Sequence, residues 1–240
     1  MRDLQQESFW EESWLRHMES YLGAPPRCGN WLRYKFGETA APVLEIAGGS
    51  CRDSRYLAET GIEATGTDFD QKTLQYLQQK FPYSTLALQH ANAFELPFAD
   101  NSFQLSFSNG FWVCFADDSE LHALAHEQVR VTRKWMIIVV HNARNQKLRD
   151  EFAHKANTDS LYDIRFFDPD HLLNLVESFK LGQRNIRIAK FGGILDRLYI
   201  KKFKGLPNPF LKLSPVLVPW LYSYQSWKFT ERVACIVELS

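Results

Sequence analysis

The segment Val43-Leu-Glu-Ile-Ala-Gly-Gly-Ser-Cys-Arg-Asp53, followed by Gly66-Thr-Asp-Phe-Asp70, predicts the fold of this chain. Its apolar start is typical of a strand that is covered on both faces of a parallel sheet. Gly48 and Gly49 then let the backbone turn sharply and approach a ligand where a Cβ would collide. Asp68 follows about twenty residues later, the distance at which a second strand offers a carboxylate to a ribose diol. The pattern therefore predicts the nucleotide-binding half of a doubly wound α/β domain.

The spacing of the glycines separates two classes of cofactor. Dinucleotide enzymes carry G-x-G-x-x-G, which places a pyrophosphate at the N-terminus of a helix. The turn from Ala47 to Cys51 has two adjacent glycines and no third one. A nicotinamide-dependent oxidoreductase is therefore disfavoured.

The same turn resembles the E-x-G-x-G-x-G loop of class I S-adenosylmethionine-dependent methyltransferases. Glu45 holds the acidic position and Gly49 matches the second glycine. Ala47 and Cys51 stand where the family has the first and third glycines. The resemblance implies a seven-stranded, mostly parallel sheet whose last strand inserts antiparallel between the fifth and the sixth.

A longer match identifies the group within this class. The segment Asn92-Ala-Phe-Glu-Leu-Pro-Phe-Ala-Asp-Asn-Ser-Phe103 resembles the D-A-x-x-L-P-F-x-D-N-S-F-D segment of the type 11 small-molecule methyltransferases. Asn92 and Gln104 depart from it, since the family carries Asp at both positions. The similarity runs from Pro42 to His141, and a weaker one follows at Phe166-Phe-Asp-Pro-Asp-His-Leu172.

Hydrophobic patterning predicts the elements of an alternating α/β domain. The expected strands are 43–47, 63–67, 86–90, 104–108, 135–141, 186–191 and 233–239. The expected helices are 9–22, 52–60, 71–81, 117–131 and 168–179, with a short helix or lid segment at 31–36. We divide the chain into an N-terminal helical lid, 1–41, and a cofactor-binding domain, 42–240, with an apolar insert at 192–231.

The resemblance implies a cofactor site beyond the carboxyl ends of the strands, where doubly wound sheets bind ligands. Asp68 would accept hydrogen bonds from the ribose hydroxyls, and Phe69 would lie against adenine. An aromatic face at Phe111 would attract the sulfonium of S-adenosylmethionine. The expected cofactor-binding residues are Glu45, Ala47, Gly48, Gly49, Asp68, Phe69, Asn92, Ala93, Asn109 and Phe111.

Several of these residues have a second interpretation. Asp68 could cap the helix that follows, although Asp70 is better placed to do so. Trp112, a candidate substrate contact beside Phe111, fits a core position equally well. Tyr34 is a second candidate substrate contact, because it lies in the predicted lid.

One histidine is a candidate for catalysis. Methyl transfer needs a base only when the acceptor must lose a proton. His141 ends the fifth strand on the ligand side and is our candidate base, with a hydrogen-bonded structural histidine as the alternative. His122 and His126 lie one helical turn apart, but no third ligand is evident, so no metal is expected.

The amino-acid composition indicates which kinds of partner and which cellular location to expect. The 28 basic residues balance the 28 acidic ones, which disfavours a nucleic-acid substrate. Four scattered cysteines and a polar N-terminus favour a reduced, cytoplasmic protein. We expect it to be a monomer or a homodimer. The stretch 205–222 is apolar but broken by four prolines, so it predicts a packed insert, a cap over the substrate mouth or a peripheral membrane contact rather than a transmembrane span.

Two hypotheses of function remain open. The first is an enzyme that moves a methyl group from S-adenosylmethionine to an oxygen, nitrogen or carbon atom of a small, apolar metabolite. The second is an inactive binding module with the same fold, which the replacements at Ala47, Cys51, Asn92 and Gln104 favour.

Overall fold

A seven-stranded mixed sheet organises the chain, as a computed structural model describes it for residues 7–199, 202–203 and 206–240. The strand order is β3-β2-β1-β4-β5-β9-β6, in which β1 to β5 run parallel and β9 runs antiparallel to both of its neighbours. The strands of this sheet are β1 (Val43–Glu45), β2 (Ala64–Asp68), β3 (Ala87–His90), β4 (Phe103–Asn109), β5 (Thr132–His141), β6 (Gln183–Gly193) and β9 (Thr230–Leu239). The short strands β7 (Lys202–Phe203) and β8 (Leu206–Pro207) form a separate two-stranded sheet. This topology confirms the predicted fold class.

Eight α-helices accompany these strands in the described ranges. They are α1 (Glu7–Gly23), α2 (Arg27–Phe36), α3 (Arg52–Glu59), α4 (Gln71–Lys80), α5 (Asp118–Arg130), α6 (Gln146–Ala156), α7 (Pro169–Ser178) and α8 (Ser214–Leu221). The N-terminus of α4 is capped by Asp70, that of α5 by Asp117 and that of α7 by Asp168, each through a carboxylate that accepts a backbone N–H.

Two helices differ from the sequence-based expectation. Helix α6 was not predicted, because its sequence is polar and it buries none of its residues completely. Its N-terminus is defined by Asn145, whose side-chain oxygen accepts the backbone N–H of Leu148 at 3.1 Å. Helix α2 starts at Arg27, four residues before the short helix or lid segment that was expected at 31–36.

The central strands bury both faces of the sheet. On β5, Met136 and Ile138 pack into one core with helices α5 and α7. The alternate residues Ile137 and Val139 pack into the opposite core, where Trp31 of α2 is completely buried. Because side chains alternate along a strand, this division explains why the strand reads as a continuous apolar run.

The insert between β6 and β9 packs on the second of these cores. Val218 of α8 and Tyr222, which follows that helix, are completely buried beside Trp31 and Phe191. Among the described residues, no helix is both long enough and apolar enough to cross a membrane.

Candidate cofactor and substrate site

The loop after β1 has the tight geometry that a glycine-rich motif requires. Ala47, Gly49 and Cys51 all adopt positive φ angles, of 52°, 53° and 43°. Two residues without a glycine's freedom therefore hold a left-handed backbone, at the positions where the resembling family has glycine. The backbone N–H of Gly48 donates to the carbonyl of Thr67 at 2.7 Å, which ties the loop to β2.

Glu45 fixes the start of the helix that leaves this loop. Its carboxylate accepts the backbone N–H of Ser54 at 3.0 Å, in the first turn of α3. Burial, together with the nearby charge of Asp53, raises the pKa of Glu45 to about 8. A Cβ on Gly48 would lie 3.1 Å from the Glu45 side chain and 2.8 Å from Cys51 Sγ, so glycine is needed for the loop to close.

The side chain of Cys51 points away from the cofactor side of the loop. It is completely buried in a small cluster with Met18, Leu74 and Leu77. A Cβ on Gly66 of β2 would lie 2.8 Å from its sulfur atom. The third glycine of the motif is thus replaced by a residue that fills the space between β2 and α4.

Asp68 lies at the end of β2 and faces a cavity of about 460 Å³. Its Oδ2 accepts the backbone N–H of Gly49 at 2.7 Å, and its Oδ1 accepts that of Asp70 at 3.0 Å. Burial is the main cause that raises its pKa to about 6. Each carboxylate oxygen has a second lone pair, so the side chain can still accept hydrogen bonds from a ligand.

A chain of polar side chains forms the floor of the same cavity. Asn109, at the end of β4, donates from Nδ2 to Asp53 at 3.2 Å and accepts from Arg232 Nη1 at 2.5 Å. Asp53 also accepts the backbone N–H of Gly29 at 2.9 Å. Arg232 is held from its other side by Glu231, which accepts from Arg232 Nε at 3.1 Å.

A second ion pair links these polar side chains on the cavity floor to helix α2. Arg27 of α2 donates to both oxygens of Glu231 and also contacts Asp196 of the insert. Although burial opposes ionisation, the charges of Arg27 and then of Arg232 hold the pKa of Glu231 well below its usual range. The insert is therefore tied to the floor of the cavity by charged groups.

His141 lies in this cavity at the end of β5, opposite Arg232 in the antiparallel pair of β5 and β9. Its ring packs against Phe152, with centroids 4.9 Å apart, and Nδ1 has no hydrogen-bond partner among the described residues. Burial first, and then the charge of Arg232, hold the pKa of His141 well below its usual value. The imidazole is therefore neutral at pH 7 and able to accept a proton.

Aromatic side chains close the other side of the cavity. They come from α1, from the segments after β3 and β4, and from α6 and the turn that follows it: Trp10, Trp14, Tyr21, Phe94, Phe111, Phe115, Phe152 and Tyr162. Helix α1 contacts the cofactor loop directly, because a Cβ on Gly49 would lie only 2.0 Å from the Trp14 ring. The same helix is linked to the turn after α6 by His17 Nε2 and Asp159 Oδ2, which are 2.7 Å apart.

The structure brings most of the predicted site residues together. Those that line the cavity are Glu45, Ala47, Gly48, Asp68, Phe69, Asn92, Ala93, Asn109, Phe111 and His141. Gly49 contacts Asp68 through its backbone N–H and lies beneath Trp14 rather than in the lining. The role of each residue toward a ligand stays a prediction.

The two predicted substrate contacts are corrected by their placement. Trp112 is buried in the core that contains α5 and α7, with its ring 6.3 Å from that of Phe179, and is not part of the cavity lining. Tyr34 is partly exposed on α2 and is also absent from the lining. The reason is that α2 packs into the core through Cys28 and Trp31 and leaves only α1 over the cavity.

None of the described residues of the insert lines the cavity, which favours the packed insert over a cap on the substrate mouth. Its described residues pack on α2 and β6 instead. Conversely, Arg232 and Phe152 were missed by sequence reasoning. Arg232 is 123 residues from its partner Asn109, and only the antiparallel last strand brings the two side chains together.

The comparisons with known proteins agree with this geometry. Residues 43–134 match the sequence model of a family described as a methyltransferase domain. Curated, uncharacterised proteins of Mycobacterium bovis and Mycobacterium tuberculosis are 41% identical over 93 residues, which is 38% of this chain. The match covers 33% of those relatives, so it spans about a third of their length.

Solved structures show the same fold at low sequence identity. An S-adenosylmethionine-dependent methyltransferase from Archaeoglobus fulgidus superposes with a TM-score of 0.63 and 17% identity, over 94% of this chain and 99% of that one. Magnesium protoporphyrin IX methyltransferase from Synechocystis, with bound S-adenosylhomocysteine, gives a TM-score of 0.55 and 11% identity, over 94% of this chain and 82% of that one.

The sequence match shows a methyltransferase domain over residues 43–134, and the strand order is that of the solved S-adenosylmethionine-dependent methyltransferases. The predicted fold class is thereby confirmed, and the domain match agrees with the predicted enzyme class and its cofactor, S-adenosylmethionine. The finer assignment to the type 11 group stays a prediction.

Proposed function

We propose that this chain moves a methyl group from S-adenosylmethionine to an oxygen, nitrogen or carbon atom of a small, apolar metabolite. The observation that carries the proposal is a cavity of about 460 Å³, in which the cofactor loop and Asp68 face a wall of aromatic side chains. Such a volume and lining are typical of sites for small molecules. When bound, S-adenosylmethionine supplies a methyl group that its sulfonium charge has already activated.

Residues on the strand ends are suited to hold the cofactor. Asp68 has acceptor capacity left for the ribose hydroxyls, and the backbone at Gly48 can approach the methionine part closely. Phe69, whose ring stacks near that of His90, offers a face to adenine. Asn92 Oδ1 accepts the backbone N–H of Phe94, and its Nδ2 can donate to the adenine edge.

The opposite wall is suited to an apolar acceptor. Phe152 packs against His141, with ring centroids 4.9 Å apart, and Phe111 and Phe115 line the same cavity with their rings 5.0 Å apart. A neutral imidazole there can take the proton of a hydroxyl or an amine as the new bond to carbon forms. The remaining task of the protein is to hold the two reactants near attack distance in a dry pocket.

The inactive-module hypothesis loses one of its main supports. A side chain at the third glycine position would weaken cofactor binding if it entered the cavity, but Cys51 is buried among Met18, Leu74 and Leu77 and is absent from the lining. Ala47 keeps the left-handed conformation that the first glycine would supply. The altered motif is therefore compatible with a working cofactor site.

A transfer assay tests the proposal. The protein is incubated with S-adenosylmethionine that carries a labelled methyl group and with a panel of apolar phenols, amines and carbon acids. We expect label in at least one acceptor and, for a phenol or amine, a fall in kcat of about 100-fold in His141→Gln. His122→Gln, an exposed histidine on α5, is the matched control. Cofactor binding without transfer to any acceptor would favour the inactive module.

The remaining partner assignments belong to the same proposal. The acceptor is a small molecule and not a nucleic acid, because the aromatic wall presents few charges to a phosphate backbone. Four free cysteines fit the expected cytoplasmic location. The protein acts as a monomer or a homodimer, with α1 as its lid.

A further inference from the structure

The apolar insert presents a stripe of exposed side chains to solvent. Phe210, Leu213, Val216, Trp220 and Tyr224 follow one another at intervals of three or four residues, along α8 and its two ends. All five are exposed, by 48% to 71%, while Val218 and Tyr222 on the other side of the helix are completely buried. We call these five residues the α8 stripe. Soluble surfaces rarely group so many large apolar side chains without a partner.

The stretch of sequence that contains this stripe has a different charge from the rest of the chain. Residues 178–230 contain ten lysines and arginines and a single acidic residue, Asp196. Asp196 is already paired with Arg27, so it does not offset the basic charge. Because the whole chain has 28 residues of each sign, the balanced composition conceals a basic C-terminal segment and an acidic remainder.

Basic side chains lie next to the stripe itself. Lys212 is exposed and directly precedes Leu213. Lys228 is exposed, and Lys190 reaches from β6 to the Trp227 ring at 5.5 Å and to the carbonyl of Ser223 at 3.4 Å. The apolar surface therefore has a cationic border.

We propose that the α8 stripe docks this protein on a membrane surface that contains anionic lipids. Aliphatic and aromatic side chains would enter the boundary between headgroups and acyl chains, where Trp and Tyr are favoured. The lysines beside them would remain at the level of the anionic headgroups. The docking surface is distinct from the cavity, because none of its five residues lines that site.

Two other occupants fit this surface less well. A second copy of the chain would bring its own basic segment against this one, and like charges that meet in a symmetric contact oppose association. A nucleic acid would be held by the basic residues but would leave Leu213 and Val216 without a contact. An anionic bilayer would contact both the lysines and the apolar side chains of this surface.

Sedimentation of the full-length protein with vesicles tests the proposal. Vesicles of phosphatidylcholine alone are compared with vesicles that also contain phosphatidylglycerol, at low and high salt. We expect binding to the anionic vesicles that salt weakens, and a fall of about tenfold or more in the partition coefficient of the double variant Val216→Ser, Trp220→Ser. The double variant Lys212→Glu, Lys228→Glu should lose the preference for anionic lipid.

Control measurements separate the alternatives. Tyr83→Ser removes an aromatic residue that is 96% exposed on the loop after α4, and should leave binding unchanged. Circular dichroism checks that each variant folds, which the exposure of the substituted side chains favours. Vesicle binding that is absent or insensitive to the stripe variants would overturn the proposal. So would tight binding to duplex DNA without vesicle binding, or a dimer seen by light scattering that the Val216→Ser, Trp220→Ser variant abolishes.

Discussion

Replacing Gly49 with alanine tests whether α1 rests directly on the cofactor loop. Gly49 has a φ of +53°, and a Cβ built on it would lie 2.0 Å from the Trp14 ring. Ordinary contact between carbon atoms needs about 3.5 Å, so the ring must move by about 1.5 Å. The substitution therefore adds a steric conflict with α1 to the cost of the backbone conformation.

The two contributions have different sizes. A left-handed backbone costs alanine about 1 kcal/mol of unfolding free energy, after allowance for the smaller entropy of its unfolded chain. Displacing Trp14 from the loop forfeits part of the burial of a large aromatic side chain, worth about 1–2 kcal/mol. We expect Gly49→Ala to lower the free energy of unfolding by about 2–3 kcal/mol in total.

Gly37 provides a matched control, because its φ is +55° and a Cβ there would meet nothing within 4 Å. Gly37→Ala should lower the free energy of unfolding by only about 1 kcal/mol. Urea denaturation followed by circular dichroism measures both values. In a Trp14→Ala background, the excess cost of Gly49→Ala should disappear. Equal costs for the two alanines, or an excess that survives in that background, would refute the contact between α1 and the loop.

Three further outcomes follow from the site. Ala47→Gly should raise the free energy of unfolding by about 0.5–1 kcal/mol in the same assay, since Ala47 has a φ of 52°; a loss of stability would contradict the assigned backbone. The pKa of Asp68 is raised to about 6 in the folded protein, so below that pH the carboxylate becomes protonated and ceases to accept from ribose. Because the unfolded carboxylate ionises near pH 4, the ionisation of Asp68 costs stability as the pH rises from about 4 to 6. Ligand binding, in contrast, needs the ionised carboxylate. Calorimetry should show the affinity for S-adenosylhomocysteine falling about tenfold between about pH 7 and pH 5, with no such pH dependence in Asp68→Asn. Arg27→Met leaves Asp196 without its cation and leaves Glu231 paired with Arg232 alone, so it should lower the free energy of unfolding by about 2–3 kcal/mol in urea denaturation. Arg16→Met, whose exposed pair with Glu12 contributes little, should lower it by less than about 0.5 kcal/mol. Similar losses in the two variants would mean that Arg27 contributes no more than an exposed ion pair.

The sheet and the cofactor side of the cavity could be predicted because their signals are local. Strands β1 and β5 are marked by an apolar run and β4 by alternating apolar residues. The helix caps Asp70, Asp117 and Asp168 stand directly before their helices. In a parallel sheet the residue after each strand reaches the same edge. The positions of Asp68, Asn109 and His141 therefore followed from strand ends alone.

The acceptor side could not be predicted in the same way, because its residues meet only through tertiary packing. Arg232 becomes a cavity residue because β9 pairs antiparallel with β5 and sets it opposite His141. Phe152 lies on α6, whose polar sequence gave no periodic signal. Trp112 and Tyr34 were misplaced for the converse reason, since neighbouring aromatic residues in a sequence do not reveal which of them the core will take.

The balance of charges shows a related limit of composition. Equal totals of 28 and 28 argued against an anionic macromolecular partner, yet ten of the basic residues fall between 178 and 230 with one acidic residue. A total cannot detect such a separation. The distribution along the chain, combined with the exposure of the α8 stripe, is what directs attention to a membrane surface.

Calorimetric titration with S-adenosylhomocysteine tests most directly the claim that this cavity holds the cofactor. We expect saturable binding with one ligand per chain, which is greatly weakened but still measurable in Asp68→Asn. We expect unchanged binding in Asp100→Asn, whose exposed carboxylate pairs with Arg130 outside the cavity lining. Absence of saturable binding in the folded wild-type protein, or binding that Asp68→Asn leaves intact, would contradict it.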